Sequence, residues 1–276
     1  MKRSLIALLM ALMAVLLMVS CEPDPYTVTF DVDGNTSTVE AQLVAKDGYA
    51  TKPAKDPTTQ VEYMTFACWS LDGKTEFKFA ETAITGNITL KALWRYYEVG
   101  DKGPAGGVIV YENPNFVASS IEEGKNWKYI EAAPTDATVG DVATFQMGYY
   151  NINRGTGDRF DTEDGIGKGL SNTNKILQSL DDRVINSYYS SGKIDPNYCA
   201  AKVATNYKVG DITGWYLPSL TELKQMWEKK IELGMTADTY ISSTEINSYE
   251  SVVSTDASKT GINPATKAAV RAIRYF

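Results

Sequence analysis

Gly214-Trp215-Tyr216-Leu217-Pro218-Ser219-Leu220-Thr221-Glu222 decides how the larger part of this chain folds. Trp215, Tyr216 and Leu217 predict a buried segment, because large apolar side chains gain about 1.5–3 kcal/mol each on leaving water. Pro218 closes that segment and sets the backbone ahead of a helix. Ser219 and Glu222 have capping-box spacing: the Ser hydroxyl takes a helical amide and the Glu carboxylate reaches back to the Ser N–H. Past the cap, Leu220, Leu223, Met226 and Trp227 recur at helical spacing, with Lys224, Glu228 and Lys229 on the outside.

Outward from this element, Tyr240-Ile241-Ser242-Ser243-Thr244-Glu245 and Val270-Arg271-Ala272-Ile273-Arg274 read as further core segments. Ser242 and Ser243 suit a strand edge or the rim of a site. Glu245 is expected to pair with Arg271 or Arg274, since a charge in a core strand needs a partner. Ala268 to Phe276 reads as a closing strand. Val108 to Tyr111 and Trp127 to Pro134 read as strands near the front of the same region. Residues 135–170 are rich in Gly, Asp, Thr and Asn and read mostly as loop. Asn172 to Leu180 predicts a helix with Ile176, Leu177 and Leu180 on one side. Pro196 to Tyr207 predicts another, with Pro196 in its first turn and Tyr198, Ala201, Val203 and Ala204 inward. Gly100 to Gly107 is glycine-rich, but it precedes a strand and so does not read as a phosphate loop.

Taken together, Gly106-Gly107-Val108-Ile109-Val110-Tyr111, the Trp215-Leu217-Pro218-Ser219 turn with Glu222, the Tyr240–Glu245 segment and the Arg271/Arg274 ending resemble the C-terminal domain of the Legionella collagen-like adhesin. The resemblance covers 97–276. It implies membership of the C-type-lectin-like group, which includes the formylglycine-generating-enzyme-like domains. It also implies recognition of a glycan, that adhesin being associated with sulfated glycosaminoglycans. The cysteine pair used by the formylglycine-generating enzymes has no counterpart here, as Cys199 stands alone in this region.

Upstream, Val28, Phe30 and Val32 alternate with Thr27, Thr29 and Asp31, and Ile88, Leu90, Ala92 and Trp94 with Thr89, Lys91 and Leu93: two strands. Tyr63 to Trp69 is an apolar strand between them, and Asp33-Gly34 and Asp72-Gly73 are turns. Val28-Thr29-Phe30, Lys52-Pro53, Asp56-Pro57-Thr58, Phe66-Ala67-Cys68-Trp69 and Thr85-Gly86-Asn87-Ile88-Thr89-Leu90 resemble the Listeria–Bacteroides repeat of internalin-type surface proteins. Cys68 stands where the family usually has glycine, which predicts a departure in the local backbone. The resemblance implies a β-grasp-like spacer or adhesion unit over 26–96. The expected fold class is therefore α+β: a small β-grasp-like domain followed by a C-type-lectin-like domain.

The chain opens with Met1-Lys2-Arg3, an apolar run from Leu5 to Val19, and Ser20-Cys21. Basic start, short apolar stretch and small residue make residues 1–21 a secretory leader, too short to span a bilayer comfortably. Met18-Val19-Ser20-Cys21 resembles a bacterial lipobox, which implies lipidation of Cys21 and a membrane-anchored protein of the outer membrane or cell surface. An ordinary cleaved leader with an incidental cysteine is the alternative. Glu22-Pro23-Asp24-Pro25 is a stiff polar tether over 22–25.

Composition removes whole classes of chemistry. Histidine is absent, which excludes Ser-His-Asp and Cys-His catalysis and His-ligated zinc. Net charge is −7 and the longest basic run is Lys229-Lys230, so no footprint for nucleic acid exists. The same acidity disfavours a sulfated polymer. Cys68 and Cys199 are either two buried free thiols or, in an oxidising compartment, a disulfide. Glu112-Asn113-Pro114-Asn115 reads as a turn. Asp158, Asp161, Glu163 and Asp164 form an oxygen-rich cluster that suits either calcium or a solvated loop; otherwise no cofactor is expected.

The expected role is non-catalytic binding of a glycan or of a host or envelope protein. The candidate ligand residues lie in the long polar stretch: Tyr149, Tyr150, Asn151, Arg154, Asp158, Arg159 and Asp161. Tyrosine offers a flat face to a sugar ring, and Asn, Asp and Arg can take hydroxyls. An envelope enzyme acting on polysaccharide or protein, with a carboxylate pair in a cleft, and a purely structural envelope protein are the alternatives.

Overall fold

The computed structural model describes residues 24–34, 37–121, 125–145, 160–184, 199–247, 250–254 and 267–276. The chain is of mixed α+β character and divides into two compact units, 1–96 and 97–276.

In the first unit, β1 (Tyr26–Asp31), β2 (Gln42–Val44), β3 (Met64–Ser70) and β4 (Ile88–Tyr96) form one sheet in the order β2-β1-β4-β3. The central pair β1/β4 is parallel, and the two outer pairings are antiparallel. Alternation along β1 and β4 sends Val28, Phe30, Leu90 and Ala92 inward, where they meet Val44, Trp69, Phe77 and Ile84. Phe30 meets Trp69 edge-on at 4.8 Å. Asp33 and Gly34 both take positive φ in the turn after β1. The β3/β4 ladder shifts register between Phe66 and Cys68, the site of the glycine-to-cysteine departure. Cys68 is half-buried and Cys199 buried, and no disulfide joins them.

In the second unit, β5 (Val108–Glu112), β6 (Tyr129–Ala132) and β9 (Ile273–Tyr275) form an antiparallel sheet in the order β5-β6-β9. β7 (Tyr240–Asn247) and β8 (Glu250–Ser254) form a two-stranded ladder. The helices are α1 (Gly169–Val184), α2 (Ala200–Asn206) and α3 (Leu220–Glu228). Trp215, Tyr216 and Leu217 are all buried. Tyr216 exchanges hydrogen bonds of 2.9 and 3.0 Å with Ile273, which ties the segment before α3 to β9. The capping box is complete: Ser219 Oγ accepts from Glu222 N (3.1 Å), and Glu222 Oε2 accepts from Ser219 N (2.8 Å). Leu220, Leu223 and Met226 are the buried face of α3.

Three expectations need correction. The helix expected from Pro196 begins at Ala200, because Cys199 is extended and its thiol accepts the Lys202 N–H at 3.4 Å. Pro196 and Tyr198 lie outside the described residues. The closing strand narrows to β9, because residues 268–272 bond one at a time to separate partners, Ala268 to Phe145 and Ala269 to Thr239 and Ile241. The first helix starts at Gly169, three residues before Asn172.

Candidate functional site

Two arginines anchor the core of the second unit, and neither pairs with Glu245. The β6/β9 register sets Glu131 opposite Arg274. Glu131 is buried and Arg274 half-buried, with Arg274 Nη2 2.8 Å and Nε 2.9 Å from Glu131 Oε2. Glu131 Oε1 accepts the Ala105 and Gly107 N–H groups (2.9 and 3.0 Å), so the glycine-rich stretch wraps a carboxylate of its own chain. Burial pushes the Glu131 carboxyl up, and Arg274 and these N–H groups oppose it. Ala133 and Ala137 run alongside Ala272 and Val270, which brings Asp136 to Arg271. Arg271 Nε donates to Asp136 (2.6 Å) and Nη1 to the Ala133 and Leu233 carbonyls (3.0 and 2.8 Å). Tyr240 donates to the other Asp136 oxygen at 3.0 Å. Glu245 sits on β7, where it accepts the Phe160 N–H at 2.8 Å. With every pole partnered, both pairs are structural.

The second unit also has an open cleft of about 340 Å³. Its floor is Trp127, just ahead of β6, and Tyr275 on β9. Their rings stack at 4.6 Å and 7°. One turn of α1 contributes Leu170, Ser171 and Asn174, and Ile121, Asn126 and the Gly167 backbone add to the described lining. Gly167 has φ +84°, and a side chain there would meet Trp127 at 3.6 Å. Trp127 is held in turn by its carbonyl, which accepts the Asn113 Nδ2–H at 2.8 Å. Asn113 also forms the turn expected at 112–115, its side chain accepting the Asn115 N–H at 3.0 Å.

Behind the cleft lies Glu222, fully buried. Besides capping α3, it accepts the Gly167 N–H at 2.9 Å and the Gly169 N–H at 3.1 Å. One carboxylate thus fixes a wall of the cleft, the start of α1 and the start of α3. Burial pushes its pKa up to about 7 against the pull of these N–H bonds. The neighbouring Tyr216 phenol is raised well above its usual value, first by burial and then by Glu222 and Tyr275.

Residues 26–93 match the Listeria-Bacteroides repeat domain. No curated protein matches the chain. Within the repeat, the motif residues Val28, Phe30, Trp69 and Leu90 are buried, so they build the core of the module and present no binding face.

Of the ligand residues expected from the sequence, Asp161 is exposed with φ +51°, and its carbonyl accepts Lys175 Nζ at 2.6 Å. Tyr149, Tyr150, Asn151, Arg154, Asp158 and Arg159 lie outside the described residues, as does Cys21. Glu163 is paired with Lys168 at 2.7 Å and Lys175 at 3.6 Å. Asp164 takes the Thr221 N–H and hydroxyl at 2.8 and 2.9 Å. Among the described residues no group of three carboxylates or thiols is placed to hold a metal ion. Ser242 and Ser243 are buried, and Ser243 donates to the Pro218 carbonyl at 3.1 Å, a packing role.

Asn126, Trp127 and Asn174 escaped the sequence reading. Trp127 reads as a strand residue and Asn174 as the outer side of a helix. The available signal was Asn174 falling on the face of α1 away from Ile176, next to the exposed Leu170.

Proposed function

We propose that this protein is a lipid-anchored envelope protein whose larger unit recognises a glycan without turning it over. The observation that carries this reading is the lining of the cleft. Indole, phenol, two carboxamides, one hydroxyl and aliphatic groups surround it, and among the described lining residues none is a carboxylate, amine or thiol. Bond-breaking in a saccharide needs an acid and a base or nucleophile at the reacting atoms. The nearest buried carboxyl, Glu222, is behind the Gly167 backbone with both oxygens bonded to main-chain N–H groups. A concave, mostly apolar site with a few placed polar groups is the usual form of a small-ligand pocket.

The antiparallel sheet, the capped helix after Trp215-Tyr216-Leu217-Pro218 and the arginine-bearing closing strand support a C-type-lectin-like classification of 97–276. The parallel central pair of the mixed sheet supports a β-grasp-like classification of 26–96, serving as a spacer or adhesion unit. The leader and Cys21 support lipid anchoring at the outer membrane or cell surface. Among the described residues no helix is long and apolar enough to cross a membrane.

The test of recognition without turnover is to incubate the full-length chain with envelope and matrix polysaccharides and follow both retention and new reducing ends. Retention with the polymer recovered intact is expected. New reducing ends would show an enzyme. The test of anchoring is Cys21→Ser, which is expected to move the protein from the membrane to the soluble fraction, because the acyl chains supply the membrane affinity. A variant that still sediments with membranes, together with a native protein of unmodified mass at Cys21, would overturn it.

A further inference from the structure

Asn126 and Asn174 come from two distant parts of the chain and line the same cleft. Both are exposed, and neither side chain has a hydrogen bond to another described residue. Each carboxamide offers two N–H donors and a carbonyl acceptor. Two such groups therefore face the cleft with no side-chain partner among the described residues. Ser171 donates to the Lys168 carbonyl at 3.0 Å, which leaves its oxygen to accept. Apolar surface comes from Leu170, Trp127 and Tyr275.

Among the described lining residues none is charged. Lys168 and Lys175, the cations that flank the α1 turn, are both paired with Glu163. A sulfate or carboxylate entering the cleft would lose hydration with no cation among the lining residues to replace it. A vicinal diol carries no such cost, because each hydroxyl both donates and accepts, as a carboxamide does. The volume of about 340 Å³ is at the low end of the range for ligand pockets, about 300–1,000 Å³.

We infer that the cleft takes an uncharged saccharide of one or two sugar units, with its hydroxyls on Asn126 and Asn174 and its C–H groups against Leu170 and the Trp127–Tyr275 floor. This rests on reading the larger unit as a non-catalytic glycan-recognition module. It departs from the sulfated polymer implied by resemblance to the Legionella adhesin.

The experiment uses the full-length chain in mild detergent on an array of neutral disaccharides (gluco-, galacto-, manno- and N-acetylglucosamine-based) alongside sulfated and uronate saccharides. Retention on neutral sugars is expected, changing by less than about twofold between low and high salt because no ion pair is screened. The Asn126→Ala/Asn174→Ala variant should bind about tenfold more weakly or worse, the loss expected for two hydrogen bonds. Its unfolding temperature should be unchanged, as both side chains are exposed. If the double variant proves less stable, Asn174→Ala alone decides, by a loss of about threefold. Retention confined to sulfated or uronate saccharides and falling steeply with salt would overturn the uncharged ligand while leaving glycan recognition standing. Neutral binding that survives both substitutions would overturn the cleft as its location. Failure to retain any saccharide would overturn the glycan reading itself.

Discussion

Glu222 concentrates the energetics of the second unit in one side chain. Its folded pKa of about 7 is above the ordinary 4.5. Between these values the native state binds a proton that the unfolded chain does not, so the Glu222 contribution to stability is greatest below pH 4.5 and declines as pH rises toward 7. A shift of this size corresponds to about 3 kcal/mol at most. Glu76 and Glu163 are shifted the other way by their lysines, so their contributions are present above pH 4.5 and disappear only as pH falls below it. We expect the thermal midpoint of the second unit to fall between pH 5 and pH 8 and to flatten in Glu222→Gln. That variant should also be less stable at every pH, by about 1–3 kcal/mol, because its NH2 must face a backbone N–H that lost an acceptor. A wild-type midpoint that rises from pH 5 to pH 8 would contradict this assignment. Nothing in the sequence marks Glu222 as more than a cap. Its extra bonds to Gly167 and Gly169 come from residues more than fifty positions away. Glu131 and Asp136 were invisible for the same reason: their arginines are 143 and 135 residues distant.

At the scale of elements, the α3 cap and the start of β5 are the points most sensitive to small changes. Ser219→Ala removes the acceptor for Glu222 N and strands the Gly165 carbonyl, which now accepts the serine hydroxyl at 2.8 Å. A loss of about 1–2 kcal/mol is expected by denaturant unfolding. Gly107→Ala should do more damage, since its Cβ would sit 1.8 Å from the Ala132 carbonyl oxygen and force β5 off β6. Gly86→Ala is the control: its Cβ would meet nothing within 4 Å. Equal stability of the two alanine variants would refute the close approach. α3 and its cap were readable to the residue because Ser, Glu and the apolar stripe all lie within nine positions. The start of α2 was not, because a cysteine stands in the cap where a Ser, Thr, Asp or Asn would have announced it. The cleft was unreadable for another reason. Its polar groups lie among ordinary helix and turn residues, and only folding shows that they share a concavity.

The two units of the molecule have separate hydrophobic clusters, one around Trp69 and Leu90 and the others around Trp215, Tyr216 and Ile273. We therefore expect fragments 24–96 and 97–276 each to unfold in a single cooperative transition, seen as coincident fluorescence and circular-dichroism curves. A 97–276 fragment that is soluble only with the repeat attached would count against the division. The two units differ in how far along the chain their sheets must reach. In the repeat, β1 finds its parallel partner within about sixty residues. In the larger unit, β6 waits for β9. A polypeptide emerging from its N-terminus can close the repeat while most of the second unit is still unmade. The second unit must hold β6 open, with Glu131 lacking Arg274, until β9 appears. If the protein is exported as proposed, passage in an unfolded state suits such an order, because β6 gains its β9 partner only after residues 273–275 have followed.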